Sequence, residues 1–277
     1  MNTDKQGLFQ TIINVFGLLI NLFMKINKKS LSKEEIERYS RQIAVREIGL
    51  DGQRRLASAS IFIAGIGGLG GLASALLTGT GIGEIAIADS GPLEISNLHR
   101  QMLYRMPDAG RLKTHAAAES LKALNPNVKI KDYEQYLHEE DMLNMFKGFD
   151  CVLDCSDNFK TRAAINSACE KLKIPCIYGA VYAFEGQATV FAHDGKSACL
   201  ECLFPGIAAQ PDTKCAENGV AGPAAAMIAS IQASEAMKLI LGLPGLKNKM
   251  LMADFLNCEF NVMDIRKSSS CPVCKEL

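Results

Sequence analysis

Tryptophan is absent from this 277-residue chain, and only 6% of its residues are aromatic. So thin an aromatic complement argues against a base-stacking platform for single-stranded nucleic acid. An excess of either charge is also missing: Lys plus Arg and Asp plus Glu each number 30, for a formal net charge of zero. A balanced chain has no bulk attraction for nucleic acid, so any anion site must be local. Histidine is scarce, with four scattered residues (His99, His115, His138 and His193) that lack metal-ligand spacing. No internal repeat or low-complexity tract is visible. What remains is 48% hydrophobic and 22% charged, ample for one large domain with a core. No composition shift divides residues 30–277 into two globular units.

Long apolar runs are also few. Leu8 to Met24 is mostly apolar and is followed by Lys25, Lys28 and Lys29, but it is shorter than the roughly 20 residues of a membrane span. Its polar members Gln10, Asn14, Gly17 and Asn21 form one narrow stripe on a helix. A cleaved signal peptide is disfavoured, because the positive charge follows the apolar run and no small-x-small site comes after it. The expectation for residues 1–29 is an amphipathic helix packed on the protein or a partner subunit. Membrane-surface contact through residues 8–24 is the rival.

Cysteine is the residue in surplus, with ten copies. Cys199/Cys202 and Cys271/Cys274 each have C-x-x-C spacing. Two such knuckles in a chain of this size read as a four-thiolate metal site, a closed tetrahedral Zn²⁺ centre, in a reducing compartment, the cytoplasm. The pairs lie about seventy residues apart, so the metal would staple the tail to the domain. Cys151, Cys155, Cys169, Cys176 and Cys258 sit in apolar patterns and are expected in the core.

Along the chain, residues 25–50 look helical, with Ser32 and Glu35 as a capping box. Strands are expected at 60–64, 84–88, 128–132, 151–154 and 175–180, with helices after Gly68, at 113–124 and after Asn158. Alternating strands and helices predict a doubly wound, Rossmann-like, mostly parallel sheet. The tail, with strands at 187–193, 249–254 and 259–265 and a long helix opened by Gly222-Pro223, predicts a mixed or antiparallel extension.

Strand 60–64 runs into Gly65-Ile66-Gly67-Gly68-Leu69-Gly70, which lets phosphate approach backbone N–H groups at a helix N-terminus. Asp89, roughly twenty residues on, stands where an acid would hydrogen-bond a ribose. So far a nicotinamide-dependent oxidoreductase fits equally well. Arg100, in Ser96-Asn97-Leu98-His99-Arg100-Gln101, Lys113 and Asp157, in Asp154-Cys155-Ser156-Asp157-Asn158, shift the balance. An arginine, a lysine and a carboxylate suited to Mg²⁺ serve a triphosphate, and an oxidoreductase would need none of the Mg²⁺ machinery. Taken singly, each has a plainer reading: Arg100 or Lys113 as a surface side chain, Asp157 as a helix cap.

From Arg38-Tyr39-Ser40-Arg41-Gln42-Ile43 to Cys271–Cys274, these motifs and Gly186-Gln187 resemble the ubiquitin-activating-type adenylyltransferases represented by MoeB, ThiF and HesA. The resemblance implies ATP–Mg²⁺ binding and adenylation of the C-terminal carboxylate of a small ubiquitin-like sulfur-carrier protein, with release of pyrophosphate. It implies a homodimer in which Arg41 reaches the partner's phosphates, and it leaves room for a sulfur-donor protein. Gly65, Gly67, Gly68, Gly70, Asp89, Asn97, Arg100 and Lys113 would bind the nucleotide, with Arg41, Arg100, Lys113 and Asp157 acting in catalysis. Many members carry a second acid where this chain has Gly91. Cys215, in a polar stretch beside Lys214, matches a crossover-loop cysteine that is nucleophilic in some members and dispensable in others; it is carried as a candidate catalytic thiol. Arg162 and Asn166 are expected to support the Asp157 loop. The alternatives are a relative that activates a carboxylate on tRNA, against which the neutral charge balance stands, the oxidoreductase, and a non-catalytic scaffold.

Overall fold

Ser32 opens the first helix of the described residues, α1 (Lys33–Arg38), through the expected capping box: its hydroxyl accepts the Glu35 N–H and Glu35 reaches back to the Ser32 N–H. The computed structural model describes residues 30–135, 138–210 and 219–275. The N-terminal segment 1–29 and the candidate thiol Cys215 therefore lie outside the described residues. Short α2 (Ser40–Ile43) and α3 (Gly49–Ser58) lead into β1 (Ser60–Ala64). There follow α4 (Gly68–Thr80), β2 (Glu84–Asp89), α5 (Lys113–Leu124), β3 (Lys129–Glu134), α6 (Glu139–Met145), β4 (Cys151–Asp154) and α7 (Phe159–Leu172). The tail holds β5 (Cys176–Tyr182), β6 (Glu185–Phe191), α8 (Leu200–Leu203), α9 (Gly222–Leu241), β7 (Lys249–Asp254) and β8 (Glu259–Asp264).

The eight strands form one sheet in the order β3-β2-β1-β4-β5-β6-β7-β8. The first five pair in parallel, and β5 to β8 pair antiparallel. This is the doubly wound sheet with an antiparallel extension that the sequence predicts. Alternation divides the core in two. Ile61 and Ile63 of β1 face one side with Ile85, Ile87, Leu153 and Ile177, under α4, α5 and α9. Phe62 and Ala64 face the other with Val152, Tyr178 and Phe191, under α6 and α7. Strand order reverses between β1 and β4, so the loops leaving their C-terminal ends open a crevice there.

Among the described residues, α9 is the one helix long and apolar enough to cross a membrane. It is a core helix: Ala225, Ile228, Ala229 and Ala236 are buried in the cluster shared with α4, and Gln232 and Glu235 are buried at its centre.

Boundaries moved where tertiary pairing, not local pattern, decides them. The strand expected at 187–193 lies at 185–191, because Ala183 turns the chain at φ 48° and pairs β5 with β6 from Tyr182 and Glu185 onward. The sequence reading missed α6, a seven-residue helix whose signal is the acidic first turn Glu139, Glu140 and Asp141. Cys258 is a correction. Expected in the core, it is exposed at φ 57° in the turn joining β7 to β8, where Asp254 accepts the Leu256 and Asn257 N–H groups. The other four cysteines of that group are buried as expected.

Candidate functional site

The glycine loop is tied on both sides. Gly65 takes φ +90°, and a Cβ there would stand 2.7 Å from the Cys155 carbonyl oxygen. A Cβ on Gly70 would lie 1.9 Å from the Gly65 oxygen, so neither position accepts a side chain. Ile66 between them is pinned: its N–H donates to Asp89 Oδ2 at 3.0 Å, and its carbonyl accepts the Tyr104 hydroxyl at 2.7 Å. Burial, and then Asp89 and Asp108 nearby, hold the Tyr104 phenol far above its ordinary range, so it stays a donor. A Cβ on Gly67 would meet only Gln101 Nε2, at 3.5 Å, and one on Gly68 would touch Arg100 and Ala225 at 3.5–3.7 Å, while the N-terminus of α4 leaves its first N–H groups without helical partners.

A cavity of about 640 Å³ covers this loop, lined among others by Asp89, Asn97, Arg100, Lys113 and Asp157. The expected nucleotide residues thus converge from the ends of three strands, β1, β2 and β4, and from the start of α5. Asp89 Oδ1 accepts the Gly91 N–H at 3.0 Å and lies 3.9 Å from Lys113 Nζ. Asn97 is buried and its Oδ1 accepts the Glu94 N–H at 3.2 Å, which leaves its amide N–H donors. Arg100 donates to the Ser96 carbonyl at 3.1 Å and stands 2.8 Å from His99 Nε2.

The two carboxylates after β4 differ. Asp154 is buried: Oδ1 accepts from the Ser156 N–H and hydroxyl, and Oδ2 pairs with Arg162 at 3.1 Å. Asp157 is exposed in the crevice, with a 3.4 Å contact from Asn158 Nδ2. Helix capping, the plainer reading of Asp157, falls to its neighbour: the Asn158 side chain accepts the Thr161 N–H at the start of α7. Arg162 braces the loop as expected, bonding Asp154 and the Ser156 carbonyl while stacking on Tyr178. Asn166 does something else. Its Oδ1 accepts the Leu200 N–H at 3.0 Å, so it ties α7 to the first cysteine knuckle rather than to the Asp157 loop.

A second cavity of about 770 Å³ adjoins the first and shares Asp157, Arg162 and Val181 with it. Its wall is largely apolar and includes Phe159, Tyr178, Phe204, Ile207 and Met252, with Gln187 of the Gly186-Gln187 pair. The sequence reading missed this cavity. Its walls come from α7, β5, β6, β7 and the turn after α8, and no local spacing brings those together.

Cys199, Cys202, Cys271 and Cys274 converge, with all four sulfur atoms within 4.8 Å of one another. Sulfur–sulfur separations of 3.9, 3.7 and 3.3 Å bracket the ~3.8 Å edge of a ZnS₄ tetrahedron with Zn–S of about 2.3 Å. Burial pushes the Cys199 thiol up to about 12, so a metal would bind there with release of protons. Nearby, His193 is fully buried at φ 49° and pairs through Nδ1 with Glu170 at 2.7 Å. That pair, with Lys173 on the same carboxylate, holds Glu170 down at about 2. His193 keeps its structural reading.

Arg41 stands apart. It is exposed on α2 and lines neither cavity. Its neighbour Gln42 donates to the Thr80 carbonyl, at the far end of α4 from the glycine loop. That helix spans 13 residues, or roughly 20 Å at 1.5 Å per residue.

Residues 39–273 match the ThiF family. The chain is 39% identical over 251 residues to a sulfur carrier protein adenylyltransferase of Thermus thermophilus, covering 88% of this chain and 92% of that one. It is 35% identical over 244 residues to the sulfur carrier protein ThiS adenylyltransferase of Escherichia coli, covering 88% and 97%. The crystal structure of E. coli MccB shares the fold with a TM-score of 0.76 at 22% identity, over 90% of this chain and 74% of that one. A glycine loop pinned between Asp89 and Tyr104, a cluster of four thiols and these similarities together establish that the chain belongs to the ThiF family.

Proposed function

We propose that this protein adenylates the C-terminal carboxylate of a small ubiquitin-like sulfur-carrier protein in the cytoplasm, for sulfur transfer in thiamin, molybdopterin or related biosynthesis. The observation that carries the reading is the meeting of two unlike cavities at Asp157. The charged one suits ATP, and the apolar one suits an extended protein tail whose end reaches the phosphates.

A C-terminal carboxylate has a pKa near ~3.5, so it is already a nucleophile at neutral pH and needs no general base. Its oxygen attacks the α-phosphorus of ATP, the bond from that phosphorus to the bridging oxygen breaks, and pyrophosphate leaves with the electron pair. The obstacle is repulsion between anions. Arg100, Lys113 and the N-terminus of α4 offset it at the phosphates. Asp89 offers its remaining lone pairs to the ribose, and Asn97 its amide donors to the nucleotide. Asp157, a cavity carboxylate at the end of β4 that, unlike Asp89, has no cation beside it in the salt bridges described, would hold Mg²⁺, which when bound neutralises charge on the departing phosphates. Gly91 carries no acid, and a Cβ there would stand 3.6 Å from both Asp89 Oδ1 and Lys113 Nζ. Cys199, Cys202, Cys271 and Cys274 would hold structural Zn²⁺.

Arg41 acts on the partner's phosphates in a homodimer. Support comes from its distance from its own glycine loop and from apolar Ile95, Met102 and Met106, which are 66%, 52% and 62% exposed in the segment between β2 and α5. Cys215 remains a candidate acceptor in the later sulfur step, with adenylation independent of it.

The test is ATP–pyrophosphate exchange with purified protein. Exchange is expected only with a carrier ending in Gly-Gly. Tight NAD binding without exchange by any such carrier overturns the reading. Mixing the inactive variants Arg41→Ala and Asp157→Ala should restore exchange through mixed dimers; no recovery after subunit exchange removes Arg41 from a role in trans.

A further inference from the structure

Gln101, in the wall of the cavity over the glycine loop, is a polar side chain that the reaction above leaves unused. Gln101 is 4% exposed. Its backbone is spent, with N–H donating to the Asn97 carbonyl at 3.0 Å and C=O accepting the Tyr104 N–H at 3.2 Å. The side chain is not. Gln101 Oε1 is buried without a hydrogen-bond partner, yet the residue is part of the cavity wall. Its Nε2 lies 3.5 Å from the point where a Cβ on Gly67 would stand, and beyond Gly67's own chain neighbours no other atom comes within 4 Å of that point. The open space over Gly67 is thus bounded by loop backbone and by this carboxamide.

The groups around it are already engaged. Tyr104 and Asp89 hold Ile66, and Arg100 rests on Ser96 and His99. Buried polar groups in folded proteins almost always have partners. The orphaned Oε1 is an acceptor and suits a donor such as water, whereas Nε2 is the end that faces the space over Gly67, where a donor points to an acceptor ligand. Phosphate oxygens at neutral pH accept hydrogen bonds, and of the two ends of a glutamine only the nitrogen donates.

We propose that Gln101 is a phosphate-binding residue of the nucleotide site, its carboxamide nitrogen donating to an ATP phosphate oxygen seated over Gly67. The inference rests on the ATP reading and adds a neutral donor to the charged ones. A neutral donor directs the phosphate without competing with Mg²⁺ for charge. It also makes the site intolerant of the isosteric acid, which offers only acceptors and a negative charge.

The test measures Mg-ATP affinity by calorimetric titration of the full chain without any carrier, alongside the melting temperature without nucleotide. Gln101→Leu removes the donor and the orphaned oxygen at similar volume. It should melt no lower than the wild type yet bind ATP about tenfold more weakly, the loss of one hydrogen bond to a charged group. Gln101→Glu should bind more weakly still, with part of the loss recovered at high salt. Wild-type affinity in both variants overturns the proposal and assigns the orphaned oxygen to a buried water. A parallel fall in melting temperature and affinity in Gln101→Leu assigns a packing role and overturns it too. Failure of the wild type to bind ATP overturns this inference together with the reading beneath it. If Gln101→Glu does not fold, Gln101→Leu alone decides.

Discussion

The cavity over the glycine loop is walled by main-chain groups and charge, whereas the cavity between α7 and strands β5 to β7 is walled by aromatic and aliphatic side chains. They touch at Asp157, and they are assembled differently. The first draws on short segments at the C-terminal edge of the parallel strands, 65–70 after β1, 89–101 after β2 and 155–158 after β4, together with Lys113 at the start of α5. The second draws Phe159 from α7, Tyr178 from β5, Gln187 from β6, Phe204 from the turn after α8 and Met252 from β7. A phosphate is met by fixed dipoles and cations that local sequence can pre-arrange. An extended tail is met by packed surface that exists only once distant strands have paired. One site is a motif, and the other is a consequence of topology.

That contrast can be broken most sharply at the shared residue. Asp157→Ala should leave the melting temperature near that of the wild type and lower pyrophosphate exchange by about 100- to 1000-fold, the scale of removing a main electrostatic group from a reacting centre. Asp154→Ala, three residues earlier, should instead cost about 3 kcal/mol of stability, because it strands the buried Arg162 guanidinium. Exchange retained by Asp157→Ala, measured at saturating ATP and carrier, would remove that carboxylate from the reaction.

A smaller effect separates the cavities. Phe204→Ala enlarges only the apolar one, so KM for the carrier should rise about tenfold while KM for ATP holds. Equal movement of both constants would mean that the two cavities do not divide the substrates.

The smallest effect belongs to neither cavity. Glu170 is held at about 2 against an ordinary 4.5, first by its bond to His193. A depressed carboxyl contributes stability above pH 4.5, and that contribution is lost as pH falls from 4.5 through 2. Glu170→Gln should therefore cost about 2 kcal/mol of stability at pH 7 and lower the melting temperature by roughly 4–8 °C, with kinetics unchanged. The gap to the wild type should close as pH falls through that window. A gap constant with pH would sink the ion-pair account.

Much of this molecule is legible in its sequence where a local rule coincides with the final environment. β1, β4, α5 and α9 begin and end where alternation, the Gly65–Gly70 loop and Gly222-Pro223 put them. The cysteine pairs converge because C-x-x-C spacing already brings two sulfurs of each pair together. Cys258 misled because Phe255, Leu256 and Phe260 make its stretch look apolar, while its immediate neighbours Asn257 and Glu259 are polar and its turn leads into the exposed edge strand β8. Asn166 lies one helical turn from Arg162, but it faces the knuckle and not the loop. Gln101 closes the Ser96–Gln101 motif, and nothing in that motif says that its oxygen would be left without a partner.

Local pattern is enough to read the parallel strands, the glycine cradle and each C-x-x-C knuckle, because each depends on residues near one another or on strict alternation. Tertiary structure alone decided that Asp154 is spent while Asp157 is exposed, that Arg41 lies a helix length from its own cradle, and that an apolar cavity meets a charged one. Those outcomes follow from which strands become neighbours across the switch point, and strand order is a property of the whole chain.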